Sequence, residues 1–194
     1  ARDLIGGGQT VRSSYPEYMR YGSAEVRFVS SNNETDGGNA IRKDIFTGDR
    51  NRAIDALKFS RDLPIILVFG GGTGALALNK LVEAKLDDLV SFCQVIHLTG
   101  GREGQAGIKE TDFIKNRYRK FEFLNTGMKD AYAIADLVVL RAGSNSLGEV
   151  ALLGKPSIII PIPDSHQEDN ARVFSDRMAA VVLNQKKITA MDLV

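Results

Sequence analysis

Short runs of Val, Ile, Leu and Phe recur along the chain from Pro64 onward, separated by stretches whose apolar residues fall at helical intervals. Apolar runs at 65–69, 92–98, 121–124, 137–140, 157–162 and 180–183 predict six strands. Several are apolar on both faces, which is how strands of a parallel sheet read when helices cover both sides. After Gly74, residues Leu78, Leu81, Val82 and Leu89 recur at helical spacing, while Glu83, Lys85, Asp87 and Asp88 take the other face. Further helices are predicted over 112–118, 128–135, 146–153 and 166–178, the last with Ala171, Phe174 and Met178 as its apolar stripe. Ser165 with Glu168 has capping-box spacing, and so has Thr189 with Asp192, where another helix begins. A helix over 50–61 leads into the first strand. This regular strand–helix alternation predicts an α/β fold, a doubly wound parallel sheet of Rossmann-like type.

The first residues follow no such pattern. Ile5-Gly6-Gly7-Gly8-Gln9-Thr10 is glycine-rich, 24–30 reads as a strand, and 31–39 is a polar loop rich in Gly and Asn. The expected division is a short N-terminal appendage over 1–37 and a main domain over 38–194.

Composition narrows the function classes. A chain of 194 residues with a net charge of +1 offers no electrostatic case for nucleic acid. The basic run Lys115-Asn116-Arg117-Tyr118-Arg119-Lys120 reads first as a solvated helix end, where cations are favourable. Cys93 is the only cysteine, so no intrachain disulfide forms, and a reduced, buried strand cysteine in a cytosolic protein is expected. No apolar stretch approaches the ~20 residues of a membrane-spanning helix. No secretory leader is visible and the chain opens with Ala1, which reads as a processed or truncated product. Two histidines and one cysteine, far apart, make no zinc site, and no Asp-x-Asp element offers to hold a metal on a diphosphate. No metal or cofactor is expected.

In open α/β sheets, ligands bind beyond the carboxyl ends of the strands. Gly70-Gly71-Gly72-Thr73-Gly74 follows the first main strand, and glycines let a backbone approach anionic oxygens at a helix start. The alternative is a tight turn without ligand. Arg141-Ala142-Gly143-Ser144-Asn145-Ser146 follows the 137–140 strand and offers small donors to phosphate, with Glu149 one turn in. A carboxylate there suits a ribose diol, although Ser146 with Glu149 also has capping-box spacing. His166, Gln167 and Asn170 supply mixed donors and acceptors for sugar hydroxyls, or else form an ordinary polar first turn. Thr99-Gly100-Gly101-Arg102-Glu103-Gly104 reads as a rim loop. His97 beside it is either a ligand contact or, more commonly for a strand end, bonded to backbone.

Taken in order, Gly38-Asn39-Ala40-Ile41-Arg42, the Gly70–Gly74 turn, His97-Leu98-Thr99-Gly100, Glu122-Phe123-Leu124, Arg141 through Glu149, and Pro161 with His166-Gln167 and Asn170-Ala171 resemble the C-terminal domain of MurG-type GT-B glycosyltransferases. The resemblance implies a donor domain that binds UDP-N-acetylglucosamine for transfer to a lipid-linked peptidoglycan precursor. It implies Arg42 near the donor, Gly71, Gly72 and Thr73 at the diphosphate, and the Leu124 backbone on uracil with Phe123 and Met128 packing nearby. It places Ser144, Asn145 and Ser146 on the diphosphate, Glu149 on the ribose, and His166 with Gln167 at the sugar hydroxyls, beside which the residue-level reading adds Asn170.

Ala40 stands where the family has proline, and Gly72 where it commonly has serine. The turn at Gly6-Gly7-Gly8 lacks the family's histidine base, and most of an acceptor domain is missing, so no catalytic residue is assigned. The chain is expected to act as a hexosyltransferase only with that domain, at the inner face of the cell membrane. The alternatives are a non-catalytic nucleotide-sugar module, or the donor half of a split two-chain transferase. A homo-oligomer is also compatible with the sequence. An NAD-dependent dehydrogenase is disfavoured, because Ile96-His97-Leu98-Thr99-Gly100-Gly101 carries no carboxylate for the ribose.

Overall fold

The computed structural model describes residues 41–71, 75–101 and 111–193. The appendage expected over 1–37 and the boundary at 38 lie outside the described residues.

Among the described residues six strands form one sheet: β1 (Ile65–Phe69), β2 (Gln94–Leu98), β3 (Tyr118–Phe121), β4 (Leu137–Leu140), β5 (Ser157–Ile159) and β6 (Val181–Val182). Their order is β3-β2-β1-β4-β5-β6 and every pairing is parallel. Among the described residues seven α-helices connect or precede them: α1 (Arg50–Leu57), α2 (Leu76–Ala84), α3 (Leu86–Phe92), α4 (Asp112–Arg117), α5 (Met128–Ile134), α6 (Ser144–Leu152) and α7 (Gln167–Asp176). Among the described residues no helix is long and apolar enough to cross a membrane.

The doubly wound expectation holds, and the burial pattern explains it. All five residues of β1 are buried, so the strand is apolar on both faces because both faces are covered. Ile65, Leu67 and Phe69 pack with α1, α5, α6 and α7 residues such as Ile54, Tyr132, Leu147 and Phe174. Ile66 and Val68 pack on the opposite side with α2, α3 and α4 residues such as Leu78, Val90 and Ile114.

Several boundaries depart from the sequence reading. The strand expected over 121–124 instead occupies Tyr118–Phe121, so half of the basic run is edge strand rather than helix end. There the Arg119 guanidinium lies 5.2 Å over the Phe59 ring, and its Nε donates to the Leu57 carbonyl. The long helix after Gly74 is two helices, broken at Lys85, whose turn lets Leu86, Leu89 and Val90 reach the core. Cys93 closes α3 rather than lying in β2, and its buried thiol donates to the Leu89 carbonyl. Met178 leaves the apolar stripe of α7: the helix ends first, and this residue, at φ +51°, is 74% exposed.

Two anchors place the segment that enters the domain. Ile45, in the 3-10 turn Lys43–Thr47, is buried in the core. The Asp49 amide donates to Asp130 on α5, and with Arg52 it holds that carboxyl below the usual carboxylate range. Arg42, immediately upstream, is thereby delivered to the carboxyl edge of the sheet.

Candidate functional site

The strand order reverses between β1 and β4: the chain winds outward from β1 to β2 and β3, then returns to β4 and continues to β5 and β6. Connections leave in opposite directions at that point, which opens the crevice where ligands sit in such sheets. Phe69 is in register with both Leu98 and Leu140, so the carboxyl ends of β2, β1 and β4 are level. The helices that follow the two central strands, α2 and α6, both begin without a side-chain cap. Asp49 caps α1 and Thr111 caps α4, while α3, α5 and α7 also start without a side-chain cap, away from this crevice or at its rim. Uncapped first-turn N–H groups, flanking a crevice, favour an anion.

Gly70 shapes one side of the crevice. A Cβ built on it would lie 2.2 Å from the Ala75 Cβ and 2.8 Å from the Ala75 nitrogen, so the turn closes on the start of α2 only because this residue lacks a side chain. Gly70→Ala is expected to lower stability by about 1–2 kcal/mol, since the clash is with backbone that has little freedom to move. A thermal melt of the variant checks this; an unchanged midpoint would mean that the turn is wider than it looks.

Glu149 stands at the other side. Its Oε2 accepts from the Tyr132 hydroxyl at 2.7 Å, and its Oε1 lies 3.4 Å from Arg42 Nε. Tyr132 is fully buried and meets the Phe69 ring edge-on, with centroids 6.1 Å apart, so a single ring separates Glu149 from the end of β1. Burial and the neighbouring carboxylate push the phenol pKa well above its ordinary value, so this hydroxyl acts as a donor. Arg42 Nη1 also donates to the Asn125 carbonyl, at 3.2 Å, in the loop after β3. Arg42 therefore joins that loop to α6. The capping box expected of Ser146 and Glu149 does not form. Gly143 is extended, α6 starts at Ser144, and the carboxylate is committed to Tyr132 and Arg42 instead.

The first turn of α7 grips the entrance to α6. Gln167 Oε1 accepts from the Ala142 and Ile162 amides, both at 3.2 Å, and Asn170 Nδ2 donates to the Ala142 carbonyl at 3.0 Å. Both hydrogen-bonding groups of one peptide-forming residue are thus held by one helix. Ser165 accepts from the Gln167 amide rather than pairing with Glu168 in the expected box. Beneath them Arg141, 5% exposed, donates to the Ile160 and Pro161 carbonyls and to Gln185.

His97 is buried, and it bonds to side chains rather than to backbone or an open site. Asn79 Nδ2 donates to the Thr99 carbonyl, which leaves Asn79 Oδ1 as the acceptor for His97 Nε2–H at 3.0 Å. His97 Nδ1 then accepts from the Tyr118 hydroxyl at 2.9 Å. Burial, with Lys120 adding to it, lowers the imidazole pKa to about 4, so the ring is neutral near pH 7.

The structure therefore brings Arg42, Glu149 and the loop of Phe123 and Leu124 together, and through Ala142 it ties α7 to the segment just before Ser144, Asn145 and Ser146. Phe123 is 49% exposed, His166 is exposed at the N-cap of α7, and Gly71 lies exposed in the first turn with φ +87°. Two expected contacts are turned inward. Met128 is a core residue at 6% exposure, and Asn170 at 5% spends its amide on Ala142. Gly72 and Thr73 lie outside the described residues. The sequence reading missed Tyr132. A tyrosine on the buried face of a predicted helix must find a partner for its hydroxyl, and that was the available signal.

The model of the glycosyltransferase family 28 C-terminal domain matches residues 65–194. The chain is 34% identical over 161 residues to the Bacillus anthracis protein named UDP-N-acetylglucosamine--N-acetylmuramyl-(pentapeptide) pyrophosphoryl-undecaprenol N-acetylglucosamine transferase 2, covering 81% of this chain and 45% of that one. A similarly named Staphylococcus aureus transferase is 33% identical, with 81% and 44% covered. The chain thus spans under half the length of these curated relatives. Among solved structures, Acinetobacter baumannii MurG superposes with a TM-score of 0.57 at 28% identity, over 73% of this chain and 41% of that one.

Proposed function

The chain belongs to the glycosyltransferase family 28 C-terminal domain family, and on that premise we propose that it binds the nucleotide-sugar donor, UDP-N-acetylglucosamine. The transfer it would serve is that of N-acetylglucosamine to a lipid-linked peptidoglycan precursor, as the names of its relatives describe. One observation carries most weight: a largely buried carboxylate, Glu149, stands about a turn and a half into a helix whose N-terminus is uncapped at the sheet's switch point. A rise of 1.5 Å per residue separates Ser144 from Glu149 by about 7.5 Å along the axis, room for a phosphate at one end and a ribose diol at the other.

In this reading the α2 and α6 amides and Arg42 take up charge on the departing diphosphate. The inverting displacement then needs a base from outside this domain. Leu124 lies beside the uracil edge, and His166 with the Gln167 amide nitrogen faces the sugar. The acceptor, the transfer itself and a peripheral position at the inner face of the membrane belong with an acceptor domain, whether in the same chain or a partner.

The test is a thermal-shift series with UDP-N-acetylglucosamine, UDP, GDP and NAD. A ligand at a hundred times its dissociation constant adds about 2.7 kcal/mol to stability. The uridine ligands are expected to raise the midpoint, and GDP and NAD to leave it unchanged. Equal shifts with NAD, or none with UDP, would reject the reading. A transfer assay on the chain alone separates donor binding from turnover.

A further inference from the structure

Tyr132 is the one member of the Glu149 cluster that no ligand needs to touch. Its ring is fully buried between α5 and β1, and its hydroxyl meets Glu149 Oε2 at 2.7 Å. The other partner of the carboxylate is unlike it. Arg42 is an exposed side chain, 41% accessible, and it holds Oε1 at a looser 3.4 Å. One partner is thus locked by packing, while the other is partly solvated and shared with the Asn125 carbonyl.

A carboxylate about a turn and a half into a helix has several accessible rotamers, and only an orientation with the right plane presents an acceptor to each of two vicinal hydroxyls. A fixed donor on one oxygen selects that plane. Each carboxylate oxygen accepts more than one hydrogen bond, so Oε2 keeps capacity for a ligand while bonded to the phenol. From this geometry we infer that Tyr132 is a positioning residue: it sets the Glu149 carboxylate for a ribose cis-diol, and so determines how strongly this site prefers ribose over sugars lacking those hydroxyls. The inference rests on the nucleotide reading above and deepens it.

The experiment compares UDP with 2′,3′-dideoxy-UDP on the wild-type chain and on Tyr132→Phe, by titration calorimetry. The wild type is expected to prefer UDP by roughly tenfold or more, the scale of hydrogen bonds to a charged group. Tyr132→Phe keeps the ring in its packing and removes only the donor. It is expected to bind dideoxy-UDP as the wild type does, and to lose most of its preference for UDP, to about threefold or less. A role confined to stability would weaken both ligands together. Retention of the full preference in Tyr132→Phe overturns the inference while leaving the nucleotide site intact. A wild-type chain that binds neither ligand rejects the nucleotide reading and the inference with it.

Should Tyr132→Phe fail to fold, the wild-type protein labelled at the tyrosine ring carries the test by NMR. The buried Tyr132 hydroxyl signal is expected to move with UDP and to stay in place with dideoxy-UDP. An equal response to the two ligands overturns the inference.

Discussion

Glu149→Ala is expected to weaken UDP binding by about 1–3 kcal/mol, roughly 5- to 150-fold, in titration calorimetry. The size follows from what alanine removes and what it leaves behind. A carboxylate that would accept from two ribose hydroxyls is gone, and the diol enters a site with nothing to receive it. The protein suffers too, because the Tyr132 hydroxyl is then buried without its acceptor and Arg42 loses its ion pair. Affinity must therefore be read on protein shown to be folded at the titration temperature. Glu149→Gln separates the contributions: it keeps an oxygen for Tyr132 and lowers the charge, so it is expected to fall between wild type and alanine. UDP affinity unaltered in Glu149→Ala would remove this residue from the site.

Acidification is expected to destabilise the wild-type domain more than a His97→Gln variant, by about 3 kcal/mol at pH 4. The imidazole titrates near 6.5 in the unfolded chain and near 4 in the folded one, lowered chiefly by burial. Above pH 6.5 the ring is neutral in both states and contributes no pH dependence. Below it, the unfolded chain takes up a proton that the folded chain refuses, so stability falls as pH drops towards 4. Beneath that value both forms are protonated and the contribution levels off. Glutamine offers one donor and one acceptor without titrating, so it keeps bonds to Asn79 and Tyr118 while erasing the slope. Urea denaturation at intervals from pH 7 to 4 measures both proteins, and parallel curves would show that His97 does not govern the response. The site shares the consequence, because the same network holds the Thr99 carbonyl at the end of β2.

The strands that the apolar pattern locates best are those buried on both faces. β1 and β4 fall where the runs at 65–69 and 137–140 place them. β3 is displaced because an edge strand is only half covered. Arg119 and Lys120 lie in it, one packed through its guanidinium and the other exposed, and neither reads as strand in a search for apolar runs. At the candidate site, glycine turns and a carboxylate after a strand were legible because their chemistry is local. The partners of Glu149 were not, since Tyr132 and Arg42 reach it only once α5 and the entering segment are packed on the sheet. Asn170 has a structural task that its sequence context does not reveal. Its polarity suggested a ligand contact, whereas in the fold it satisfies the carbonyl of Ala142.

The grip of α7 on Ala142 has a consequence for altering this domain. The elbow between β4 and α6 is tied to α7 through the Ala142 amide and carbonyl, held by Gln167 and Asn170. Changes at those two positions are expected to disturb the start of α6 as well as the first turn of α7. Under the proposed nucleotide-sugar reading, the sugar side and the phosphate side of the site are therefore joined through Ala142.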